Sequence, residues 1–96
     1  MIIRIITEDK NPELIRHHCA QAFDAFTMYR GLGYWKGTPE PSVTIEIAIT
    51  EQKYETEYNR LKEMVSRAET LAKKIKTSNN QEAVLVEYIH ATTALI

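Results

Sequence analysis

The sequence predicts an α+β fold: one antiparallel four-stranded sheet with two helices on one face. Three observations carry it. Ser42–Thr50 alternates strictly, with Val43, Ile45, Ile47 and Ile49 on one side and Thr44, Glu46, Ala48 and Thr50 on the other, as a strand with one face in a core must. From Tyr54 to Lys76, the residues Tyr54, Tyr58, Leu61, Val65, Ala68, Ala72 and Ile75 recur at helical spacing, and Met64 and Leu71 widen the stripe. Between Gly31 and Pro41 lies a connection rich in glycine and proline, which joins two strand-like runs as a hairpin.

The remaining elements follow in order. Ile2–Thr7 reads as a strand, with Ile3 and Ile5 on one side and Ile2, Arg4 and Ile6 on the other. Asn11-Pro12-Glu13 opens a helix, with Asn as cap, Pro at the first helical position and Glu at the positive end of the dipole. That helix is expected from Pro12 to Asp24, because Ile15, Cys19, Ala22, Phe23 and Phe26 make an apolar stripe. Phe26–Tyr29 turns to strand chemistry, which Gly31 and Gly33 interrupt with a bulge or a close backbone approach. Lys36–Pro41 reads as the turn. Pro39 and Pro41 donate no ladder hydrogen bonds, so the central sheet is expected to resume after them. The second helix has Glu55 and Glu57 in its first turn and Lys73, Lys74 and Lys76 in its last, as the macrodipole favours. Ser78-Asn79-Asn80 ends it, and Gln81–Ile96 reads as the last strand, with Leu85 and Ile89 opposite Val84, Val86 and Tyr88. The order βαββαβ makes residues 1–96 a single ferredoxin-like domain.

Twelve basic and 13 acidic side chains leave a net charge of −1, which argues against a nucleic-acid partner. Cys19 is the only cysteine, so no intramolecular disulfide forms and a reducing, cytoplasmic setting is expected. The apolar start, Ile2 to Ile6, is broken by Arg4 and too short to cross a membrane, so no membrane partner is expected.

Two helices cover one side of such a sheet. The other side carries Thr44, Glu46, Ala48 and Thr50, and for the outer strands Ile2, Ile6, Val84, Val86 and Tyr88 are too apolar for a wet surface. A sheet apolar on both faces is covered on both. Self-association is the economical solution, with Arg4, Arg30, Glu46 and Glu87 available to pair inside or at a wet rim. The alternative is a monomer whose C-terminal tail crosses the sheet.

No catalytic or metal motif is legible. His17 and His18 are adjacent and point about 100° apart on a helix, so they do not share one ion. His18, Cys19 and His90 lack zinc-type spacing. The run GLGYWKG fits neither the dinucleotide nor the P-loop pattern, yet glycine-flanked amides form anion-binding nests. With Arg30 and Lys36 neutralising charge and Tyr34 or Trp35 stacking on a base, this segment suits a small anionic ligand, a nucleotide first. The same aromatics suit a subunit interface. Glu46 and Glu87 are candidates for a carboxylate pair, although an ion pair to Arg4 or Arg30 is the simpler reading. Lys73-Lys74-Ile75-Lys76 reads as a solvated helix end.

The run TMYRGLGYWKGTPEPSVTIEIAIT, followed by a long helix and NQEAVLVEYI, resembles the PII-like and CutA-like superfamily of small trimeric proteins. Tyr29-Arg30, Gly31, Glu40 and Ile45–Thr50 follow the order of a CutA-type hairpin and its exit strand. The resemblance implies a βαββαβ core, a homotrimer, and small-molecule or metal-ion sites in clefts between subunits. Two departures limit it: the long partner-binding loop of PII proteins is missing, and so is a clear equivalent of the metal-binding residues proposed for CutA proteins. The compact size also resembles small phage-encoded proteins, some of which sequester host signalling nucleotides.

These readings converge on a non-enzymatic protein without cofactor. It is expected to bind a small anionic ligand at the clefts of a homo-oligomer, through Arg30, Tyr34, Trp35, Lys36, Glu46 and Glu87. The alternatives are a module that engages a partner or host protein and, behind it, an enzyme using Glu46 or Glu87.

Overall fold

In the computed structural model, residues 1–50 and 57–96 are described, with the backbone alone at position 57. Tyr54 and Glu55, expected in the first turns of the second helix, lie outside them, as does the side chain of Glu57. The elements are β1 (Ile2–Glu8), α1 (Pro12–Ala22), β2 (Thr27–Trp35), β3 (Thr38–Ala48), α2 (Glu57–Ser78) and β4 (Leu85–Ile89). They build one antiparallel sheet in the order β2-β3-β1-β4, the ferredoxin-like arrangement.

Alternation sets the core. Ile3 and Ile5 of β1 and Val43, Ile45 and Ile47 of β3 are buried, and their register partners meet on one face. Onto it pack Ile15 and Cys19 of α1 and Ala68, Leu71, Ala72 and Ile75 of α2. Those α2 positions fall at spacings of three and four, so burial selects one stripe of the helix. Each fully buried aliphatic side chain contributes roughly 1.5–3 kcal/mol of transfer free energy. Among the described residues, no helix is long and apolar enough to cross a membrane.

Four local expectations change. Asn11 does not cap α1 with its side chain: at φ 49° it is left-handed rather than extended, and its amide reaches Asn79 Oδ1 at 3.5 Å. The helix ends at Ala22, and Phe23 is extended. Gly31 and Gly33 do not interrupt β2, which pairs with β3 without a break from Thr27↔Glu46 to Trp35↔Thr38. The turn contracts to Lys36-Gly37, both at positive φ (50° and 79°), as a two-residue primed hairpin turn requires. Pro39 and Pro41 therefore lie inside β3. They are tolerated because β1 pairs with β3 only as far as Glu8↔Ser42, which leaves this stretch an edge.

The last strand is shorter than expected. β4 pairs with β1 from Ile6↔Leu85 to Ile2↔Ile89, where β1 itself begins, and this register puts Leu85, Glu87 and Ile89 on the open face. Val86 and Tyr88, expected there, share the helix face with Ile5 and Ile3, and Val84 also packs against the core. The chain turns instead to the start of the molecule: the terminal amine of Met1 donates to the Ala91 carbonyl (2.8 Å), and Thr93 Oγ1 donates to the Ile49 carbonyl (2.7 Å).

Candidate functional site: a groove under the hairpin arm

Because β2 and β3 outrun β1, the end of β2 and the start of β3 form a two-stranded arm. Its pairs are Leu32↔Pro41, Gly33↔Glu40, Tyr34↔Pro39 and Trp35↔Thr38. The arm tip reaches the connection between α2 and β4. There the Glu82 carboxylate accepts a hydrogen bond from Trp35 Nε1 (3.3 Å) and an ion pair from Lys36 Nζ (3.2 Å).

Beneath lies a groove of about 570 Å³, bounded by Gly33, Trp35, Glu40 and Ser42 on the arm side, Ile6 and Glu8 on β1, and residues 81–85 opposite. Its size is that of a small-ligand site. Gly33 shapes the floor. A Cβ there would lie 3.7 Å from Ser42 Cβ, an ordinary contact, so the missing side chain leaves open volume and relieves no strain. At the inner end, Thr7 Oγ1 donates to Gln81 Oε1, and both residues are buried.

The groove is acidic. Glu8 pairs with Lys10 (3.0 Å) and Glu82 with Lys36, but Glu40, partly buried against the floor, has no ionic or hydrogen-bonding partner among the described residues.

The six residues singled out from sequence fall in three places. Tyr34, Trp35 and Lys36 stand together at the arm tip; Tyr34 is 70% exposed and Trp35 44%. Arg30 is elsewhere: its Nε pairs with Asp9 Oδ2 at 3.2 Å. Glu46 and Glu87 lie on the uncovered sheet face, on either side of Arg4, with registers Arg4↔Glu46 and Arg4↔Glu87. They are two strand spacings apart, about 9.5 Å, too far to share a proton. Arg4 Nε donates to Glu46 Oε1 (2.7 Å), and Tyr29 Oη donates to the same oxygen (2.9 Å). The Arg4 hydrogen bond, then that from Tyr29, holds the Glu46 carboxyl below its ordinary pKa. The bond to Glu46 pushes Tyr29 the other way.

Burial pushes the Cys19 thiol up to about 11, so it stays protonated. Among the described residues, no three His, Cys, Asp or Glu side chains converge on a metal position. His18 Nε2 contacts Ser78 Oγ at 3.1 Å, and the neighbouring His17 ring is tilted away with centroids 6.1 Å apart.

Glu40, Ser42, Gln81 and Glu82 were not foreseen as site residues. The first two were within reach: a turn placed at Lys36-Gly37 puts Glu40 opposite Gly33 by counting. Gln81 and Glu82 carry no local signal, since only the packing of α2 brings them to the arm.

No family model and no curated protein matches the chain. Among solved structures, it is similar to a phage SAM lyase in complex with S-methyl-5′-thioadenosine. The TM-score is 0.56 at 17% identity, over 88% of this chain and 76% of that one. A phage SAM lyase in its apo state gives a TM-score of 0.58 at 19% identity, over 88% and 75%. Likeness at this identity is likeness of fold alone, and it does not establish kinship with PII-like or CutA-like proteins.

Proposed function

We propose that the groove binds a small adenosine-containing thioether or sulfonium compound, of the class represented by S-methyl-5′-thioadenosine and S-adenosylmethionine. The observation that carries this reading is the groove's one carboxylate without a partner among the described residues, Glu40, set beside Trp35. Trp35 supplies a stacking surface for a purine, and Glu40 favours a neutral or cationic group. The nucleotide suggested by Arg30 and Lys36 fits less well, because both cations are already paired with carboxylates and the groove rim is acidic. The phage lyases share the fold and so lend support to this ligand class.

In this reading the protein works as a homotrimer in the cytoplasm, with the grooves at the clefts between subunits. Light scattering then returns three times 11.1 kDa. Calorimetry with S-methyl-5′-thioadenosine, S-adenosylmethionine and ATP tests the ligand. The first two bind and ATP does not. Gly33→Val, which the backbone accommodates, fills the groove and abolishes binding with the fold intact. Consumption of S-adenosylmethionine, followed by chromatography, distinguishes an enzyme from a binding protein. If none of the three binds, the reading falls and the exposed arm is better seen as a protein-interaction surface.

A further inference from the structure

We propose that Arg4, with Glu46 and Glu87 on either side, is a subsite for an α-amino acid head group carried by the groove's ligand. The proposal rests on the groove reading above and adds the part of the ligand that the groove itself leaves unaccounted for.

Three observations carry it. The first is composition. An arginine set between two carboxylates on the same sheet face offers both charges that a zwitterionic head group needs, a cation for its carboxylate and anions for its ammonium. The second is unused capacity. Arg4 engages Glu46 only through Nε, and both Arg4 and Tyr29 converge on Oε1. The two terminal Nη groups of Arg4, Glu46 Oε2 and the Glu87 carboxylate have no hydrogen-bonding partner among the described residues. A guanidinium with its Nη pair open is shaped to bind a carboxylate in fork geometry, through two charge-assisted hydrogen bonds.

The third observation is continuity. Ile6 and Leu85 border the groove, and Arg4 and Glu87 lie two residues further along the same face of β1 and β4. At 3.2–3.4 Å per residue this separation is about 6.5 Å, within reach of a side chain attached to a nucleoside held under the arm. Ile2, Ile6 and Ile89, partly buried on this face, flank the charges and reduce their exposure to water. Tyr29 acts as a positioning residue: its hydroxyl holds Glu46 so that Oε2 stays open.

The test compares ligands that differ only in this part. S-Adenosylhomocysteine carries the head group and no sulfonium charge; S-methyl-5′-thioadenosine lacks the head group. By calorimetry on the wild-type protein, the first should bind about tenfold tighter or better, since a site built to pair a polar group discriminates against its absence. Arg4→Lys keeps the charge and loses the fork; Glu87→Gln keeps the size and loses the charge. Each should shrink the difference to less than about threefold through the affinity for S-adenosylhomocysteine, at unchanged melting temperature. Glu87→Gln guards against misfolding of the arginine variant. No difference in the wild type, or a difference that survives both substitutions, overturns the subsite and leaves the groove reading standing. Loss of S-methyl-5′-thioadenosine binding in both variants also overturns it, because the triad would then serve the groove's shape. Failure of both ligands to bind the wild type brings down the groove reading and this one together.

Discussion

Cys19, Glu46 and Tyr88 show how environment assigns roles to single side chains. Cys19 is buried between helix and sheet, and its thiol, at about 11, should resist alkylation at pH 8 in the native state and react when urea unfolds the chain. Rapid labelling of the folded protein would contradict the packing described. Tyr88 is pushed up to about 12, first by burial and then by its hydrogen bond to Glu69 Oε1. Its protonated form belongs to the folded state. The stabilisation is therefore complete below the ordinary tyrosine pKa of about 10 and disappears as pH rises through about 12. Tyr88→Phe should remove the highest step from a spectrophotometric tyrosine titration. Glu46 has the opposite sign. Its folded carboxyl is held below the ordinary range, so its stabilisation is present above about pH 4.3 and vanishes as pH falls through the lowered value. Glu46→Gln should flatten the acid side of the stability profile, measured by denaturant unfolding between pH 2 and 6.

The arm depends on its turn. Lys36 and Gly37 both occupy left-handed conformations, which a primed turn demands and an L-residue resists. A Cβ at Gly37 would meet nothing within 4 Å, so Gly37→Ala tests the backbone term alone. It should cost about 1–2 kcal/mol in urea unfolding. Lys36–Glu82 is exposed on both sides and contributes little to stability, ~0–1 kcal/mol. Its consequence is placement, since with Trp35 it fixes the arm over the groove. The core stripe of α2 is less forgiving. Leu71 is 1% exposed, and Leu71→Ala should cost about 2–5 kcal/mol.

Taken together, the fold has a dry face and an unfinished one. Helices seal Ile3, Ile5, Val43, Ile45 and Ile47, whereas the reverse face presents Ile2, Ile6 and Ile89 around the Arg4 ion pair, and leaves Leu85 57% exposed. The C-terminal segment does not reach across it in the way the monomeric alternative needed: its bonds are to Met1 and Ile49. If copies of the chain cover this face, melting temperature should rise with protein concentration. Leu85→Arg should then lower the mass in solution to 11.1 kDa without unfolding the domain. A mass and melting temperature that ignore both concentration and substitution would leave the face solvated.

Much of this architecture was legible in the residues themselves. The alternation of Val43, Ile45, Ile47 and Ile49 against Thr44, Glu46 and Ala48 states which side of a strand is buried, because side chains in a strand alternate by geometry. The α2 stripe states the same for a helix. The pairing of Glu46 with Arg4 was an open choice between two arginines, decided only when β1 took its place beside β3. Glycine and proline misled for the same reason: their effect depends on which neighbour the backbone has. Pro39 and Pro41 sit within a strand because β1 stops short of them, and Gly33 clears a groove because residues 81–85 lie across from it. Periodicity is written locally and determined the elements and their dry faces. The site joins residues 6, 33, 40 and 82, and that proximity exists only once the sheet is ordered and α2 has set down the strand that follows it.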